Sequence, residues 1–243
     1  MSATGIVAAL AAEARTLGPV QPVPHRAAGT LAIHTLPDGT LLVISGMGAA
    51  AATQAARVLV AAGAQGLLSF GLAGGLDPAL GAGTVLLPRA VTDGTGTVHR
   101  AYDSWRERLA ALTRGSSDTH PLIVDGALLS LSAPLSTPVT KSQARARTGA
   151  VAVDMESFAI ASVAIEQGVK FAVARVVVDT AADSLPRSIM QATDLRGEVN
   201  YSQLIGGLVR RPPDILALLR LARRYRLAMR SLRALARSGV GLS

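Results

Sequence analysis

The sequence contains no cysteine, and only 3% of its 243 residues are aromatic. The absence of cysteine excludes a disulfide framework, a zinc ribbon, an iron–sulfur cluster and a thiol nucleophile. The four histidines (His25, His34, His99 and His120) lie far apart and form no H-E-x-x-H pattern, so we expect no metal site. With 49% apolar and 16% charged residues, the chain is long enough and apolar enough for one sizeable α/β core and does not have the composition of a disordered protein.

A signal peptide and a membrane-spanning segment are also missing from the pattern. The first ten residues lack a basic region, and the apolar stretch that follows runs directly into Glu13 and Arg15. One uncharged stretch, residues 58–76, has the length of a membrane span, but its five glycines divide it into a helix end, a strand and a turn. We therefore expect a cytoplasmic protein.

The net charge of +8 is concentrated at one end of the chain. Residues 1–209 carry 15 basic and 15 acidic side chains, whereas residues 210–243 carry nine arginines and the single acidic residue Asp214. This distribution predicts a neutral globular domain, residues 1–211, followed by a basic amphipathic helix, residues 212–243. It argues against a uniformly basic nucleic-acid-binding domain.

Short apolar runs of strand type alternate with helical stretches along the chain. The predicted strands are Gly5 to Leu10, Leu31 to Leu36, Leu41 to Ser45, Gly66 to Gly71, Thr84 to Pro88, Ala150 to Val153 and Phe171 to Val178. The predicted helices are Ala49 to Ala62, Ser104 to Arg114, Pro138 up to Gly149, and Met155 to Gln167. Because the strands are continuously apolar, this order predicts an α/β fold with helices on both faces of the sheet.

Ligands of such folds bind beyond the carboxyl ends of the strands, which directs attention to the residues that follow them. Four strand ends lead into Glu13, the Ser45–Gly48 turn, the Gly71–Gly75 turn and Asp179. The glycine turns lack the third glycine and the downstream acidic residue of a dinucleotide-binding fingerprint. P-loop and G-x-S-x-G motifs are absent, which excludes those nucleotide and serine-hydrolase sites.

Acidic side chains in apolar surroundings are the most informative feature of the sequence. Asp154 and Glu156 directly follow a predicted buried strand, and Asp179 follows eight largely apolar residues. Buried carboxylates are costly unless they are paired, hydrogen-bonded or functional. Helix capping by Asp154, a helix-dipole role for Glu156 and an ion pair of Asp179 with Arg175 are the structural alternatives to a ligand-binding site.

Five elements in order resemble the nucleoside phosphorylase and methylthioadenosine/S-adenosylhomocysteine nucleosidase superfamily over residues 5–180. They are Gly5 with Glu13, the Ser-Gly-Met-Gly turn at 45–48, the 70–76 segment Phe-Gly-Leu-Ala-Gly-Gly-Leu, the 153–157 segment Val-Asp-Met-Glu-Ser, and Arg175 with Asp179. The resemblance implies a three-layer αβα sandwich with a central mixed, twisted sheet. It also implies a homodimer or larger assembly that cleaves the N-glycosidic bond of a small-molecule nucleoside.

The resemblance also implies roles for individual residues. Asp179 matches the acid that protonates the purine at N7, and Glu13 matches the base that activates water on the other side of the sugar. Glu156 matches the carboxylate that accepts hydrogen bonds from the ribose hydroxyls. The remaining substrate-binding candidates are Gly46, Met47, Gly48, Ala73, Gly74, Met155 and Arg175. Val178 stands where the family commonly has a serine beside the acid.

No cofactor is expected, although phosphate remains an alternative co-substrate. An acidic Glu13 repels a phosphate dianion and favours hydrolysis, whereas Arg15 and Arg175 keep phosphorolysis open. A non-catalytic nucleoside-binding, membrane-associated protein is the alternative to an enzyme.

The C-terminal segment combines two stripes with helical spacing. An apolar stripe (Leu218, Leu221, Tyr225, Ala228, Leu232 and Leu235) lies opposite an arginine stripe (Arg223, Arg226, Arg230, Arg233 and Arg237). No glutamate balances the arginines, so an anionic membrane surface competes with a solvated helix face as the interpretation.

The Val-Asp-Met-Glu-Ser segment, Lys141 and this arginine-rich helix together resemble the hopanoid-associated phosphorylase branch. That resemblance implies removal of adenine from adenosylhopane, a lipid nucleoside of hopanoid biosynthesis, by an enzyme on the inner face of the cytoplasmic membrane. A methylthioadenosine or S-adenosylhomocysteine nucleosidase is the alternative within the superfamily.

Overall fold

The computed structural model describes residues 3–19, 21–22, 31–115, 122–123, 125–184 and 213–241. Leu218 and the predicted helix cap Asp214 belong to the first turns of the last helix, where only the backbone is described.

A mixed, twelve-stranded sheet forms the centre of the described structure. Its strands are β1 (Thr4–Ala8), β2 (Gln21–Pro22), β3 (Ile33–Thr35), β4 (Leu41–Ile44), β5 (Gly66–Gly75), β6 (Val85–Leu86), β7 (Ala90–Thr92), β8 (Val98–Arg100), β9 (Leu122–Ile123), β10 (Ala127–Ser130), β11 (Ala152–Asp154) and β12 (Lys170–Asp179). The main path runs β2-β3-β4-β1-β5-β11-β10-β7-β8, with β12 pairing both β5 and β6, and β9 pairing β6.

Parallel pairing of the long apolar strands determines where the site lies. β1 runs parallel to β4 and β5, and β5 runs parallel to β12 along its length. All five residues of β1 are buried, as expected for a strand covered on both faces. The carboxyl ends of β1, β4, β5 and β12 therefore meet at one edge of the sheet.

Helices cover both faces of this sheet. They are α1 (Ala11–Ala14), α2 (Ala49–Ala61), α3 (Asp103–Gly115), α4 (Pro138–Thr148), α5 (Ser157–Glu166) and α6 (Pro213–Arg237), with a 3₁₀ turn at Arg15–Leu17. α2 and α5 contribute to one hydrophobic cluster, and α3 and α6 contribute to the cluster on the opposite face. The fold is the expected three-layer αβα sandwich with a mixed sheet.

The glycine-rich segment Gly71–Gly75 is where the prediction of a turn is wrong. These residues continue β5, because β12 pairs with it as far as Gly74 and β11 pairs with Gly74 and Gly75. Side chains of neighbouring elements occupy the space where a Cβ would lie: Glu13 and Arg175 at Gly71, and Asp179 at Gly74. Glycine therefore gives β5 its close approach to charged side chains.

The last helix packs on the body of the protein through its C-terminal half. Ala228, Leu232 and Leu235 are buried against the α3 side of the sheet, and the Trp105 indole donates a hydrogen bond to the Val240 carbonyl at 3.3 Å. The five arginines of the predicted stripe are exposed. None of the described helices has the length and apolar character required to span a bilayer.

Candidate active site

Charged side chains gather at the edge of the sheet where β1, β5 and β12 end. Eight charged or polar residues near this edge are buried in the described part of the chain: Glu13, Ser69, Lys141, Asp154, Glu156, Ser157, Arg175 and Asp179. They form two groups. The arginine cluster comprises Arg175, Glu13, Asp154 and Glu156, and the lysine pair comprises Lys141 and Asp179.

Glu13 is held on α1, the short helix that follows β1. One carboxylate oxygen accepts a hydrogen bond from the Leu10 amide at 3.0 Å, and the other accepts one from the Leu72 amide of β5 at 2.9 Å. Its side chain passes directly over Gly71, where a Cβ would lie 2.5 Å from Oε1. The backbone at the start of α1 and the backbone of β5 thus hold the predicted base in place.

Arg175 is the centre of the arginine cluster. It lies on the same face of β12 as Val173 and Val177, which the α2 and α5 cluster covers. Its Nη2 pairs with Asp154 at 2.9 Å and Glu156 at 3.4 Å, and it donates to Ser69 Oγ at 2.8 Å. Its Nη1 donates to the Leu72 carbonyl at 3.1 Å. The guanidinium therefore links the 154–156 segment to β5.

The Glu156 carboxylate lies at the N-terminus of α2 and forms no side-chain cap bond with its own helix, α5. Its Oε1 accepts a hydrogen bond from the Gly48 amide at 2.8 Å, and Gly48 is the N-cap of α2 with φ of 95°. The contact satisfies one of the amides that begin a helix without an internal partner. This contact joins the Gly46–Gly48 turn to the segment that contains Met155, which is partly buried.

Asp154 has a structural role. Its carboxylate accepts hydrogen bonds from the Ser157 amide (3.2 Å to Oδ2), the Ser157 hydroxyl and the Ser130 hydroxyl, and it pairs with Arg175. It thereby satisfies the start of α5, although the N-cap position itself is Glu156. This arrangement is the capping alternative considered for Asp154.

The arginine cluster combines three carboxylates with one guanidinium in buried surroundings. Burial raises the pKa of Glu13, and the nearby Arg175 guanidinium and backbone hydrogen bonds oppose that rise. Burial also raises the pKa of Glu156, again opposed by Arg175. An excess of negative charge in a poorly solvated site favours a cationic ligand and brings carboxylates toward the pKa range of general bases.

Asp179 is placed by an irregularity in β12. The pairing with β5 passes from Val177 opposite Ala73 to Asp179 opposite Gly74, so Val178 is an extra residue in a bulge. Bulges redirect side chains and are common beside active sites. A Cβ on Gly74 would lie 3.2 Å from Asp179 Oδ1, so the acid lies against β5 two residues beyond the amide that binds Glu13.

The partner of Asp179 is Lys141 of α4, not Arg175 as the structural alternative proposed. The Lys141 ammonium contacts Asp179 Oδ2 and donates to the Thr180 carbonyl at 2.7 Å and the Asp183 carbonyl at 3.2 Å. Burial raises the pKa of Asp179, whereas Lys141 lowers it. This ion pair opposes the protonated form that a general acid requires, because Lys141 stabilises the Asp179 carboxylate.

The 180–183 loop (residues 180–183) contacts both the lysine pair and α6. The Asp183 carboxylate accepts hydrogen bonds from the Thr180 amide at 2.8 Å and the Thr180 hydroxyl at 2.7 Å. It also pairs with Arg224 of α6. Pairing with these groups lowers the pKa of Asp183 despite its partial burial.

Other predicted ligand-binding residues line the same edge, with one exception. Gly46 and Met47 are partly buried between β4 and α2, and Gly74 is partly buried beside Asp179. Ala73 is instead buried in the α2 and α5 cluster. We expect Gly74 and Met47 to be nearer to a ligand than Ala73.

The sequence indicated no role at the site for three residues that lie near it. Ser69 bonds both Arg175 and Ser157, Asp183 orders the 180–183 loop, and Tyr225 of α6 lies near Glu13. Burial and the adjacent Glu13 charge raise the pKa of Tyr225. Long-range packing brings these residues to the site, and no local motif indicates it.

Beside the 180–183 loop the surface forms an open cavity of about 520 Å³. Leu76, Pro138, Arg145, Thr180 and Ala182 are among its lining residues. Across the ranges that the structure covers, no three histidine, aspartate or glutamate side chains are arranged to hold a metal ion.

The sequence of residues 1–209 matches the model of the phosphorylase superfamily. The chain belongs to this superfamily. The match covers β1 to β12 and thus both charged groups, and it ends before α6. No curated protein matches the chain.

Solved structures of nucleoside-cleaving enzymes have the same fold. A 5'-methylthioadenosine/S-adenosylhomocysteine nucleosidase from Colwellia psychrerythraea, in complex with adenine, is 23% identical with a TM-score of 0.68, covering 85% of this chain and 94% of its own. A Helicobacter pylori mutant nucleosidase with 5'-methylthioadenosine in its active site is 17% identical, with a TM-score of 0.68 and coverages of 86% and 99%. A futalosine hydrolase mutant of H. pylori is 17% identical, with a TM-score of 0.63 and coverages of 73% and 89%.

Proposed function

We propose that this protein hydrolyses the N-glycosidic bond of a 5'-substituted adenosine and releases adenine. The observation that carries the proposal is the placement of two buried carboxylates, Glu13 and Asp179, against β5 two residues apart. The first lies in an electronegative cluster, and the second is paired with a single cation. The superfamily and the nucleosidases of similar fold support the same reaction class.

Two proton transfers accompany the reaction. As the bond between the sugar and purine N9 breaks, Asp179 donates its proton to purine N7, and the base leaves as neutral adenine. Glu13 accepts a proton from water, whose oxygen bonds to the anomeric carbon. The positive charge that develops on the sugar is stabilised by the carboxylates of the arginine cluster, and Glu156 accepts hydrogen bonds from the ribose hydroxyls.

Hydrolysis is favoured over phosphorolysis by the contacts of Arg175. A phosphate dianion requires cationic donors, but this guanidinium is already paired with Asp154 and Glu156 and lies near Glu13. Arg15, the other candidate cation, is exposed on the 3₁₀ turn. Three nearby carboxylates would repel the phosphate.

The finer proposal concerns the 5' substituent and the location of the enzyme. α6 lies beside Glu13 through Tyr225, and it exposes Leu219 and Leu227 among its arginines. At about 1 kcal/mol for each basic residue near an anionic surface, the arginine stripe is sufficient for reversible binding to the inner face of the cytoplasmic membrane. A lipid nucleoside such as adenosylhopane suits an enzyme in that position. The resemblance to the superfamily also leads us to expect a dimer or larger assembly.

Adenine release tests the reaction. We expect the protein to release adenine from adenosylhopane in phosphate-free buffer, and added phosphate should not accelerate the release. 5'-Methylthioadenosine and S-adenosylhomocysteine are the alternative substrates for comparison. Glu13→Gln and Asp179→Asn should each reduce kcat/KM by about 10²- to 10⁴-fold while the protein stays folded. Release that requires phosphate, or that survives both substitutions, would contradict the proposal.

Vesicle binding tests the location. The protein should co-sediment with vesicles of phosphatidylglycerol and phosphatidylcholine at low salt and should dissociate from them at high salt. Replacing the five stripe arginines by glutamine should abolish binding and leave the cleavage of 5'-methylthioadenosine unchanged. Binding that is equally strong to neutral vesicles would argue against electrostatic docking.

A further inference from the structure

Lys141 donates its hydrogen bonds to Asp179 and to the 180–183 loop that follows it. An ammonium group has three donors. Those of Lys141 go to the Asp179 carboxylate and the carbonyls of Thr180 and Asp183, and the side chain is fully buried. A buried lysine is costly without such partners. A residue needed only for packing on α4 would not be charged here.

We propose that Lys141 is a positioning residue that holds Asp179 and the 180–183 loop in place and stabilises the carboxylate formed when Asp179 gives up its proton. This inference rests on the proposed glycosidic cleavage. Before the reaction, the two backbone carbonyls keep the ammonium satisfied while Asp179 carries a proton. During the reaction the Asp179 O–H bond breaks and the N7–H bond forms, and the resulting carboxylate gains the full attraction of Lys141.

Within the ranges that the structure describes, the charged groups around Asp179 come from two elements. α4 contributes Lys141, which lowers the pKa of Asp179, and the 180–183 loop contributes Asp183, whose charge raises that pKa. β5 and β11 contribute the uncharged Gly74 and Val153. One turn along α4, Arg145 pairs with Asp77 at 2.8 Å. Among the described residues, Lys141 is therefore the cation that contacts the acid.

The same arrangement extends to α6 through Asp183. Arg224 pairs with the Asp183 carboxylate, which in turn holds the Thr180 amide and hydroxyl next to the Lys141 bonds. The loop is thus fastened by α4 from one side and by α6 from the other. Arg224 belongs to the proposed positioning group, whereas Arg223, its neighbour in sequence, is an exposed member of the arginine stripe.

A pair of substrates with different leaving groups tests the role of Lys141. Lys141→Met should lower kcat for a purine nucleoside at least about tenfold. It should leave the cleavage of 4-nitrophenyl β-D-ribofuranoside within about twofold, because a nitrophenolate departs without being protonated. At the alkaline pH where the kcat/KM of the wild-type enzyme has fallen to about a tenth of its maximum, the kcat/KM of Lys141→Met should still be about half of its own maximum. The reason is that Asp179 keeps its proton to higher pH when the Lys141 charge is absent.

Amide hydrogen exchange tests the holding of the loop without any assay of activity. Lys141→Met and Arg224→Met should each accelerate exchange at Thr180 and Asp183 at least about tenfold, since the loop opens locally more often. Arg223→Met is the matched control, because it also removes one α6 arginine, and it should leave this exchange unchanged. Lys141→Gln, which keeps a donor but no charge, guards against misfolding of the methionine variant.

The two measurements separate the possible failures. Equal losses on both substrates, an unchanged alkaline limb of the pH profile, or unchanged exchange at Thr180 would overturn the role of Lys141. If the wild-type protein cleaves no purine nucleoside, the proposed function fails, while the exchange experiment still decides whether Lys141 and Arg224 hold the loop.

Discussion

The arginine cluster and the lysine pair lie at the same edge of the sheet, but their charge balance differs. In the arginine cluster one guanidinium faces three carboxylates, whereas in the lysine pair one ammonium faces one carboxylate. The first group therefore carries excess negative charge in a buried position, and the second is balanced. A nucleoside whose sugar becomes cationic and whose base accepts a proton matches this asymmetry.

The two groups also differ in how the backbone supports them. Glu13 and Glu156 receive hydrogen bonds from backbone amides of β5 and α2. Asp179 depends on a strand bulge and on a side chain from α4. The arginine cluster is thus built into the sheet and the start of a helix, whereas the acid depends on tertiary contacts that single substitutions can remove.

Removal of Arg175 should have the largest effect on stability. Arg175→Met leaves three carboxylates buried without their cation, so we expect a loss of about 3–5 kcal/mol in the free energy of unfolding. Arg57, whose ion pair with Glu166 is exposed, provides the control, and Arg57→Met should cost at most about 1 kcal/mol. Urea unfolding of both variants at pH 7 measures the difference, and equal losses would show that the cluster does not depend on its arginine.

Two glycine substitutions should disturb the two groups to different extents. In Gly71→Ala the new methyl would lie 2.5 Å from Glu13 Oε1 and 2.8 Å from Arg175 Nη1, so the arginine cluster must rearrange. In Gly74→Ala the closest contact is 3.2 Å, to Asp179 Oδ1, which requires only a small shift. We expect Gly71→Ala to lose about 1–3 kcal/mol in unfolding free energy and Gly74→Ala to lose less. Thermal unfolding with a larger loss for Gly74→Ala would contradict these contacts.

The pH dependence of the unfolding free energy should show the cost of burying the Glu13 charge in the arginine cluster. Burial raises the pKa of Glu13 in the folded protein above its unfolded value of about 4.5. The folded state then binds more protons than the unfolded state just above that value, so this residue makes stability fall as the pH rises from there through the folded pKa. The loss of unfolding free energy caused by Glu13→Gln should therefore be smaller at pH 7 than at pH 4.5. A loss that grows with pH would mean that the carboxylate is stabilised by folding.

The smallest effect is expected for the arginine stripe of α6. Replacing its five exposed arginines by glutamine removes charge without removing the buried Ala228, Leu232 and Leu235. The melting temperature should change by no more than about 2 °C, as is usual for surface substitutions. A large decrease in differential scanning fluorimetry would show that these side chains stabilise the fold.

The sequence was sufficient to predict the long elements, and it singled out charged residues that the structure buries at one edge of the sheet. β1, β4, β12 and α2 lie within about two residues of their predicted bounds, because continuous apolar runs and helical periodicity are strong local signals. The short strands β7, β8 and β10 were missed, since three or four residues with mixed exposure carry little pattern. Pairing with β12 extended β5 through its glycines, which local turn propensity could not indicate.

The sequence indicated the candidate charged residues but not the contacts among them. Glu13, Glu156, Arg175 and Asp179 converge on one edge of the sheet, and their roles in binding and catalysis stay predictions. The pairing of Asp179 with Lys141 spans 38 residues and the contact of Glu156 with Gly48 spans 108. Such contacts depend on which helix packs against which strand, and the order of residues alone does not specify them.

A crystal structure of the protein with a non-hydrolysable adenosine analogue would show whether Glu13 and Asp179 act on opposite sides of one nucleoside. Purine N7 should lie about 2.6–3.2 Å from a carboxyl oxygen of Asp179, with the Glu13 carboxylate on the opposite side of the ribose. A purine bound elsewhere, or an Asp179 that contacts Lys141 and faces away from the base, would contradict this arrangement.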